Sequence, residues 1–107
     1  MQYENNFLRI PNHTAEALAK INLSKAEAKC LWVILRETYG NNRKYEIIPL
    51  STFIEKTGLK KSAISKARRK LILRRIINAV RDCYGYYLIY ELNEDSEKWR
   101  PLGKERA

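Results

Sequence analysis

The sequence has few of the residues that support catalysis, metal binding or covalent cross-linking. His13 is its single histidine, which excludes a cluster of histidine metal ligands and a pair of catalytic histidines. Cys30 and Cys83 lie far apart and lack the spacing of metal ligands. The four glycines form no phosphate-binding motif. We therefore expect a protein that is not an enzyme and has no catalytic residues, metal or cofactor.

The chain also lacks a long apolar run and a secretion signal. Its longest uninterrupted apolar run, residues 30–35, is too short for a transmembrane helix, which needs about 20 residues. The N-terminal stretch has neither the basic nor the apolar region of a signal peptide. We expect a cytoplasmic protein with reduced cysteines and no membrane partner. A length of 107 residues with 45% hydrophobic residues fits one small globular domain.

Acidic residues are missing from one region of the chain. Residues 56–81 carry ten basic groups and no acid, whereas the rest sums to −1 within the total of +9. This basic block comprises Lys56, Lys60, Lys61, Lys66, Arg68, Arg69, Lys70, Arg74, Arg75 and Arg81. Such a block on a neutral domain favours a nucleic-acid partner. The alternatives are an anionic protein surface and a helix face that binds nothing.

Apolar spacing predicts two helices in the N-terminal half. Residues 12–21 have the pattern of a short helix. The clearest helix is predicted over residues 23–39, where Ser24 and Glu27 form an S-x-x-E capping box. We expect this helix to end at Gly40.

The central residues predict a helix-turn-helix. Residues 45–48 are mostly apolar and predict a short strand or an extended connector. Ser51 is expected to cap a short helix over residues 52–57, and Gly58 supplies the freedom that a tight turn needs. A second helix is predicted over residues 61–74. In a helix-turn-helix the second helix enters the DNA major groove.

A β-hairpin is predicted to follow this second helix. Residues 76–81 and 86–92 are rich in β-branched and aromatic side chains, and the turn between them contains Gly85. A hairpin in this place is a wing. The predicted fold is therefore α+β, mostly α: a winged helix-turn-helix of about four helices and a C-terminal hairpin. We divide the chain into a loose N-terminal arm, the winged helix-turn-helix domain and a polar C-terminal tail: residues 1–9, 10–92 and 93–107.

The exposed face of the predicted second helix supplies the candidate DNA contacts. Side chains spaced i, i+3, i+4 and i+7 are candidates to read bases: Ser62, Ser65, Lys66 and Arg69. Cations at the helix ends and on the wing are candidates for phosphate: Lys60, Lys61, Lys70, Arg74, Arg75 and Arg81. The alternatives are that the base readers contact only phosphate or solvent, and that Arg81 is a solvated strand residue. Arg68 lies near the inward face and receives no role.

Four tyrosines cluster around the hairpin: Tyr84, Tyr86, Tyr87 and Tyr90. Their alternation along a strand predicts packing into the core and the wing. The alternative is stacking on single-stranded bases, which requires exposed tyrosines.

Several stretches resemble the N-terminal domain of phage replication protein O, the origin-binding initiator of lambdoid-type phages. The likeness is carried by Phe7 to Asn12, Leu23 to Glu27, Ile34 to Gly40, Thr57 to Leu59, Ile64 to Ala67 and Ser96 to Trp99. The resemblance implies a winged helix that binds repeated double-stranded DNA sites in a replication origin, often as a homodimer. Two positions depart from the pattern: Lys60 replaces a usual Ser or Thr helix cap, and Arg75 replaces a usual glycine.

The resemblance leaves the biological role open. Members of this family usually continue into a C-terminal region that recruits the helicase loader, and this sequence stops at Ala107. We expect either a fragment of an initiator or a small protein that kept only the DNA-binding half. In the second case a transcriptional regulator is favoured. The remaining alternative is an inhibitor that binds a host replication or defence protein.

Overall fold

A computed structural model describes residues 7–101 as an α+β fold with four α-helices and one small sheet. The helices are α1 (Asn12–Lys20), α2 (Lys25–Glu37), α3 (Leu50–Thr57) and α4 (Lys61–Leu73). The strands are β1 (Tyr45–Ile47), β2 (Ile77–Arg81) and β3 (Leu88–Leu92), and short 3₁₀ turns span Tyr39–Asn41 and Ser96–Lys98. This confirms the predicted class and is compatible with a winged helix. No described helix has the length and apolar character to span a membrane.

The capping box of α2 is confirmed, but several helix boundaries differ from the prediction by one or two residues. Ser24 Oγ accepts from Glu27 N at 3.2 Å, and Glu27 Oε1 accepts from Ser24 N at 2.8 Å. The helix gives way at Thr38 to the 3₁₀ turn that contains Gly40. Ser51 is not the cap of α3, because that helix already begins at Leu50, directly after a proline whose φ of −68° suits a helix start.

The sheet is antiparallel and has the strand order β1-β3-β2. The predicted hairpin of β2 and β3 is confirmed, although both strands are shorter than expected. β1 pairs with the other edge of β3, with Tyr45 opposite Glu91 and Ile47 opposite Ile89. The short strand thus joins the hairpin into one sheet, which places the hairpin firmly against the helical part.

The core lies between α2, α4 and the inner face of the sheet. Its largest fully buried apolar side chains are Leu31, Ile34, Leu35, Ile48, Phe53, Ile64, Leu71, Ile76, Ile77 and Tyr90. Phe53 and Tyr90 meet edge to face, with ring centroids 5.3 Å apart, a favourable aromatic geometry. Cys30 is buried in this core as predicted, and both cysteines are free thiols. Burial raises the pKa of the Cys30 thiol.

The C-terminal boundary of the domain lies later than Asn93. The indole Nε1 of Trp99 donates to the carbonyl of Asn93 at 2.7 Å, and Trp99 packs against the core. The amide of Arg100 donates to the carbonyl of Arg74 at 2.8 Å. Residues 93–100 are therefore bound to the domain and are not a loose tail. The rest of the predicted tail and most of the predicted arm lie outside the described residues.

Candidate nucleic-acid interface

The turn between α3 and α4 sets the direction of α4 relative to α3. Gly58 adopts φ +74° and its amide donates to the carbonyl of Ile54 at 2.9 Å. The hydroxyl of Thr57 donates to the carbonyl of Phe53 at 2.6 Å and accepts from the amide of Leu59 at 3.0 Å. The left-handed conformation that glycine tolerates thus lets the chain reverse within three residues.

α4 has a buried stripe and an opposite polar face. Ile64, Ala67 and Leu71 are buried against the core. Since successive helical residues are rotated by about 100°, Ser62, Lys66 and Arg69 lie on the side of α4 opposite that stripe. All three are exposed, whereas Ser65 is half-buried. The four candidate base readers therefore come together on one helix, with Ser65 nearer to its edge.

Seven of the ten cations in the basic block are exposed and form no ion pair with any residue between 7 and 101. These free cations are Lys60, Lys61, Lys66, Arg69, Lys70, Arg75 and Arg81. Lys56 is paired with Glu37 at 3.1 Å, and Arg68 and Arg74 bind within the domain. Because no acid pairs with the free cations, α4, its two ends and the end of β2 carry a strong local positive charge.

Arg74 does not belong to this surface, so the expectation that it contacts phosphate is wrong. Its side chain is 5% exposed and faces the fully buried carboxylate of Glu27, with Nη1 3.0 Å from Oε2. The same guanidinium donates to the carbonyls of Asn22 at 2.8 Å and Arg100 at 3.0 Å. Arg74 therefore joins the start of α2, the end of α4 and the C-terminal segment.

A signal in the sequence points to this role for Arg74. Ala67, Leu71 and Arg74 are spaced by four and three residues, which continues the buried stripe of α4 past its last turn. A cation at such a position needs a buried acid as partner. The partner is Glu27, the acidic residue of the capping box, 47 positions earlier in the chain.

Arg68 reaches along the edge of the core. Its Nη1 donates to the hydroxyl of Tyr90 at 2.6 Å, and its guanidinium lies 5.9 Å from the centroid of the Phe53 ring. Burial raises the pKa of the Tyr90 hydroxyl, and the charge of Arg68 and its hydrogen bond lower it in part. Arg68 thus connects α4 to β3 and orients the helix against the sheet.

Lys60 and Arg75 occupy the two ends of α4 without the usual local stabilisation. Lys60 is the N-terminal cap residue, and its side chain makes no capping hydrogen bond. Arg75 adopts φ +62°, a left-handed conformation that costs a residue with a Cβ about 1–2 kcal/mol. Both side chains are exposed. Each position therefore carries a positive charge although another residue type would stabilise that end of the helix better.

The prediction that the hairpin tyrosines pack inside holds for Tyr90 but is wrong for the other three. Tyr90 is fully buried beneath α4, because its position in β3 faces the helices. Tyr84, Tyr86 and Tyr87 precede the paired part of β3 and are exposed. The alternation in the sequence extends beyond the part of the hairpin that the helices cover.

Comparison with known proteins places the chain in a family. Residues 1–99 match the family model described as bacteriophage replication protein O. The chain belongs to this family. It is also similar to Replication protein 15 of Enterobacteria phage phi80, with 27% identity over 95 residues. The match covers 89% of this chain and 31% of that protein, so the chain spans about a third of its relative's length. No solved structure matches the chain significantly.

Membership of this family supports a role related to phage replication. It agrees with the resemblance identified in the sequence, which covers nearly the same residues. The family is consistent with an interaction with DNA.

Proposed function

We propose that this protein binds double-stranded DNA as the origin-binding domain of a phage replication protein, without catalysing a reaction. In this proposal α4 enters the major groove, and Lys66 and Arg69 contact base edges with Ser62 and Ser65 beside them. Lys60, Lys61, Lys70, Arg75 and Arg81 contact phosphates and position the helix. The β2–β3 hairpin acts as a wing on the DNA backbone.

One observation carries the proposal: the side of α4 opposite its buried stripe is exposed, basic and free of acids. A helix whose outer face served only solubility would carry both signs of charge. Here Lys66, Arg69 and Lys70 lie on one side of the helix, with no acidic partner among residues 7–101. An α-helix fits the width of the major groove, and arginine and lysine suit the two acceptors of guanine.

Selection of binding sites from a random duplex pool, followed by titration at several salt concentrations, tests the proposal. If the five phosphate candidates all bind, the log–log salt slope is about −4.5, and it approaches about −6 if all seven free cations bind. We expect an enriched motif together with a slope in this range. A slope near zero, or no duplex binding at physiological salt, would refute DNA binding through this surface.

A matched pair of variants separates base reading from phosphate contact. Arg69→Ala is expected to weaken binding to the selected site by about 1–3 kcal/mol and to relax base preference at one position. Lys61→Ala is expected to weaken binding to all duplexes alike and to reduce the salt slope by about 0.9. Equal, sequence-independent losses for both variants would reduce the site to a phosphate-binding patch.

A second candidate function, docking on another copy of the chain, is supported by the outer face of the sheet. Val80, Ile89 and Ile47 are aligned across its three strands, and Val80 and Ile47 are exposed. A row of apolar side chains on a solvent face is typical of an interface. Sedimentation of the wild type and of Val80→Glu tests this function. A monomeric wild type contradicts it, and a dimer that Val80→Glu dissociates supports it.

A further inference from the structure

Three tyrosines stand at the tip of the β2–β3 hairpin without packing against the domain. The hairpin tip comprises residues 82–87, between the two strands. Tyr84, Tyr86 and Tyr87 are 77%, 79% and 50% exposed. No hydrogen bond joins their hydroxyls to any residue that the structure describes. Folding alone does not explain three neighbouring aromatic rings in water, and exposed apolar clusters of this kind mark binding surfaces.

The backbone beneath these rings is held firmly. One oxygen of the Asp82 carboxylate accepts from the amides of Tyr86 at 2.9 Å and Tyr87 at 3.2 Å. The amide of Asp82 donates to the carbonyl of Tyr87 at 2.8 Å, and Gly85, at φ +76°, donates to the carbonyl of Asp82 at 3.0 Å. An ordered loop loses little conformational freedom when a ligand binds, so the tip is prepared to present its rings.

The charges around the hairpin tip match DNA. Arg81 precedes the tip, and its guanidinium lies against it, 3.4 Å from the carbonyl oxygen of Gly85. The hairpin begins just after α4, which carries the free cations. The single acid of the tip, Asp82, is engaged by the two backbone amides. Aromatic rings next to an exposed arginine are the combination that binds single-stranded DNA, by stacking on bases and contacting the backbone.

A fully paired duplex does not suit this tip. Proteins that read the minor groove use arginine, lysine, asparagine or glutamine, and residues 82–87 contain none of these. The faces of paired bases are covered by their neighbours in the stack, and opening a stacked step costs a few kcal/mol. A tyrosine ring therefore reaches a base face most easily where a base is unpaired. We propose that the hairpin tip stacks on unpaired bases next to the duplex that α4 holds. This inference rests on the proposed duplex binding.

Two DNA probes of one sequence test the inference: a perfect duplex, and the same duplex with mismatched central bases that include 2-aminopurine. We expect the wild type to bind the mismatched probe roughly 5-fold or more tightly for each stacked base and to quench its fluorescence. The double variant Y84A/Y86A loses both the preference and the quenching. The matched variant Y84F/Y86F keeps both, because the rings remain. On the perfect duplex, Y84A/Y86A loses less affinity than on the mismatched probe, and Y84F/Y86F keeps the wild-type affinity.

Three results would overturn the inference: equal affinity of the wild type for both probes, equal losses for the alanine and phenylalanine variants, and a loss that is the same on both probes. The second result would assign the hydroxyls to phosphate, and the third would assign the tip to duplex binding.

The same titrations separate this inference from the proposed function. Binding to the mismatched probe alone, with dependence on the rings, supports stacking and refutes duplex binding. Equal binding to both probes supports duplex binding and refutes stacking. Both fail if neither probe binds.

Discussion

Replacing Arg74 tests most directly whether a cation that is bound within the domain stabilises the fold, in contrast to the free cations proposed to contact DNA. Its guanidinium makes two hydrogen bonds to the Glu27 carboxylate, at 3.0 and 3.1 Å, and two to backbone carbonyls. Arg74→Ala removes all four and leaves a fully buried carboxylate whose one remaining hydrogen bond within residues 7–101 is from the Ser24 amide. Breaking a buried ion pair in this way costs about 3–5 kcal/mol.

A loss of this size is large for one small domain, whose free energy of unfolding is about 5–15 kcal/mol. Because a domain of about 100 residues loses roughly 4–8 °C per kcal/mol, the Tm should fall by about 12 °C or more. Urea unfolding followed by circular dichroism measures the free energy directly. The double variant E27Q/R74M should recover part of the loss, because it leaves no unpaired buried charge.

The neighbouring residue provides the control. Arg75→Ala removes one exposed cation and keeps a Cβ at the same left-handed position, so its stability should stay close to that of the wild type. It should reduce the salt slope of duplex binding by about 0.9, whereas folded Arg74→Ala should leave that slope unchanged. An Arg74→Ala variant with normal stability and a reduced salt slope would refute this reasoning.

Three further predictions concern local structure. Gly58→Ala should lower the free energy of unfolding by about 1–2 kcal/mol. Apart from the two adjoining residues, no described atom lies within 4 Å of the added Cβ, so the cost comes from φ +74° alone. An unchanged free energy in urea would contradict this. Arg75→Gly should raise the free energy of unfolding by about 1 kcal/mol for the converse reason, and a loss of stability would show that the arginine side chain stabilises the fold. Burial and then the hydrogen bond to Glu94 raise the pKa of Tyr39. Above about pH 10 the unfolded chain therefore loses a proton that the folded chain keeps, and the free energy of unfolding should fall. Urea midpoints against pH should show a smaller fall for Tyr39→Phe.

Local patterns in the sequence were sufficient for most of the secondary structure. The capping box at Ser24, the glycine at position 58 and the stripe of Ile64, Ala67 and Leu71 each depend on residues within one or two helical turns. Such signals depend on neighbouring residues and can be recognised without knowledge of tertiary contacts. The basic block was equally evident, because charge is counted along the chain without knowledge of the fold.

The features that local patterns do not reveal depend on partners far away in the chain. Arg74 forms an ion pair with Glu27 on another helix, and β1 pairs with β3, which lies more than forty positions later. Residues 93–107 are predicted as a polar tail, but Trp99 and Arg100 bind to the domain through contacts that no local pattern encodes. The tyrosines alternate as in a buried strand, yet the helices cover only the base of the hairpin.

The sequence by itself determined the helices, the hairpin and the concentration of positive charge in residues 56–81. These follow from periodicity, capping and composition, which are local properties. Only the tertiary structure decided which cations of that block are free. Burial makes an unpaired charge costly, so Arg74 is held by Glu27 and Arg68 lies along the core, while seven other cations stay in solvent. Packing also decided that Tyr90 is buried and that Tyr84 and Tyr86 remain exposed.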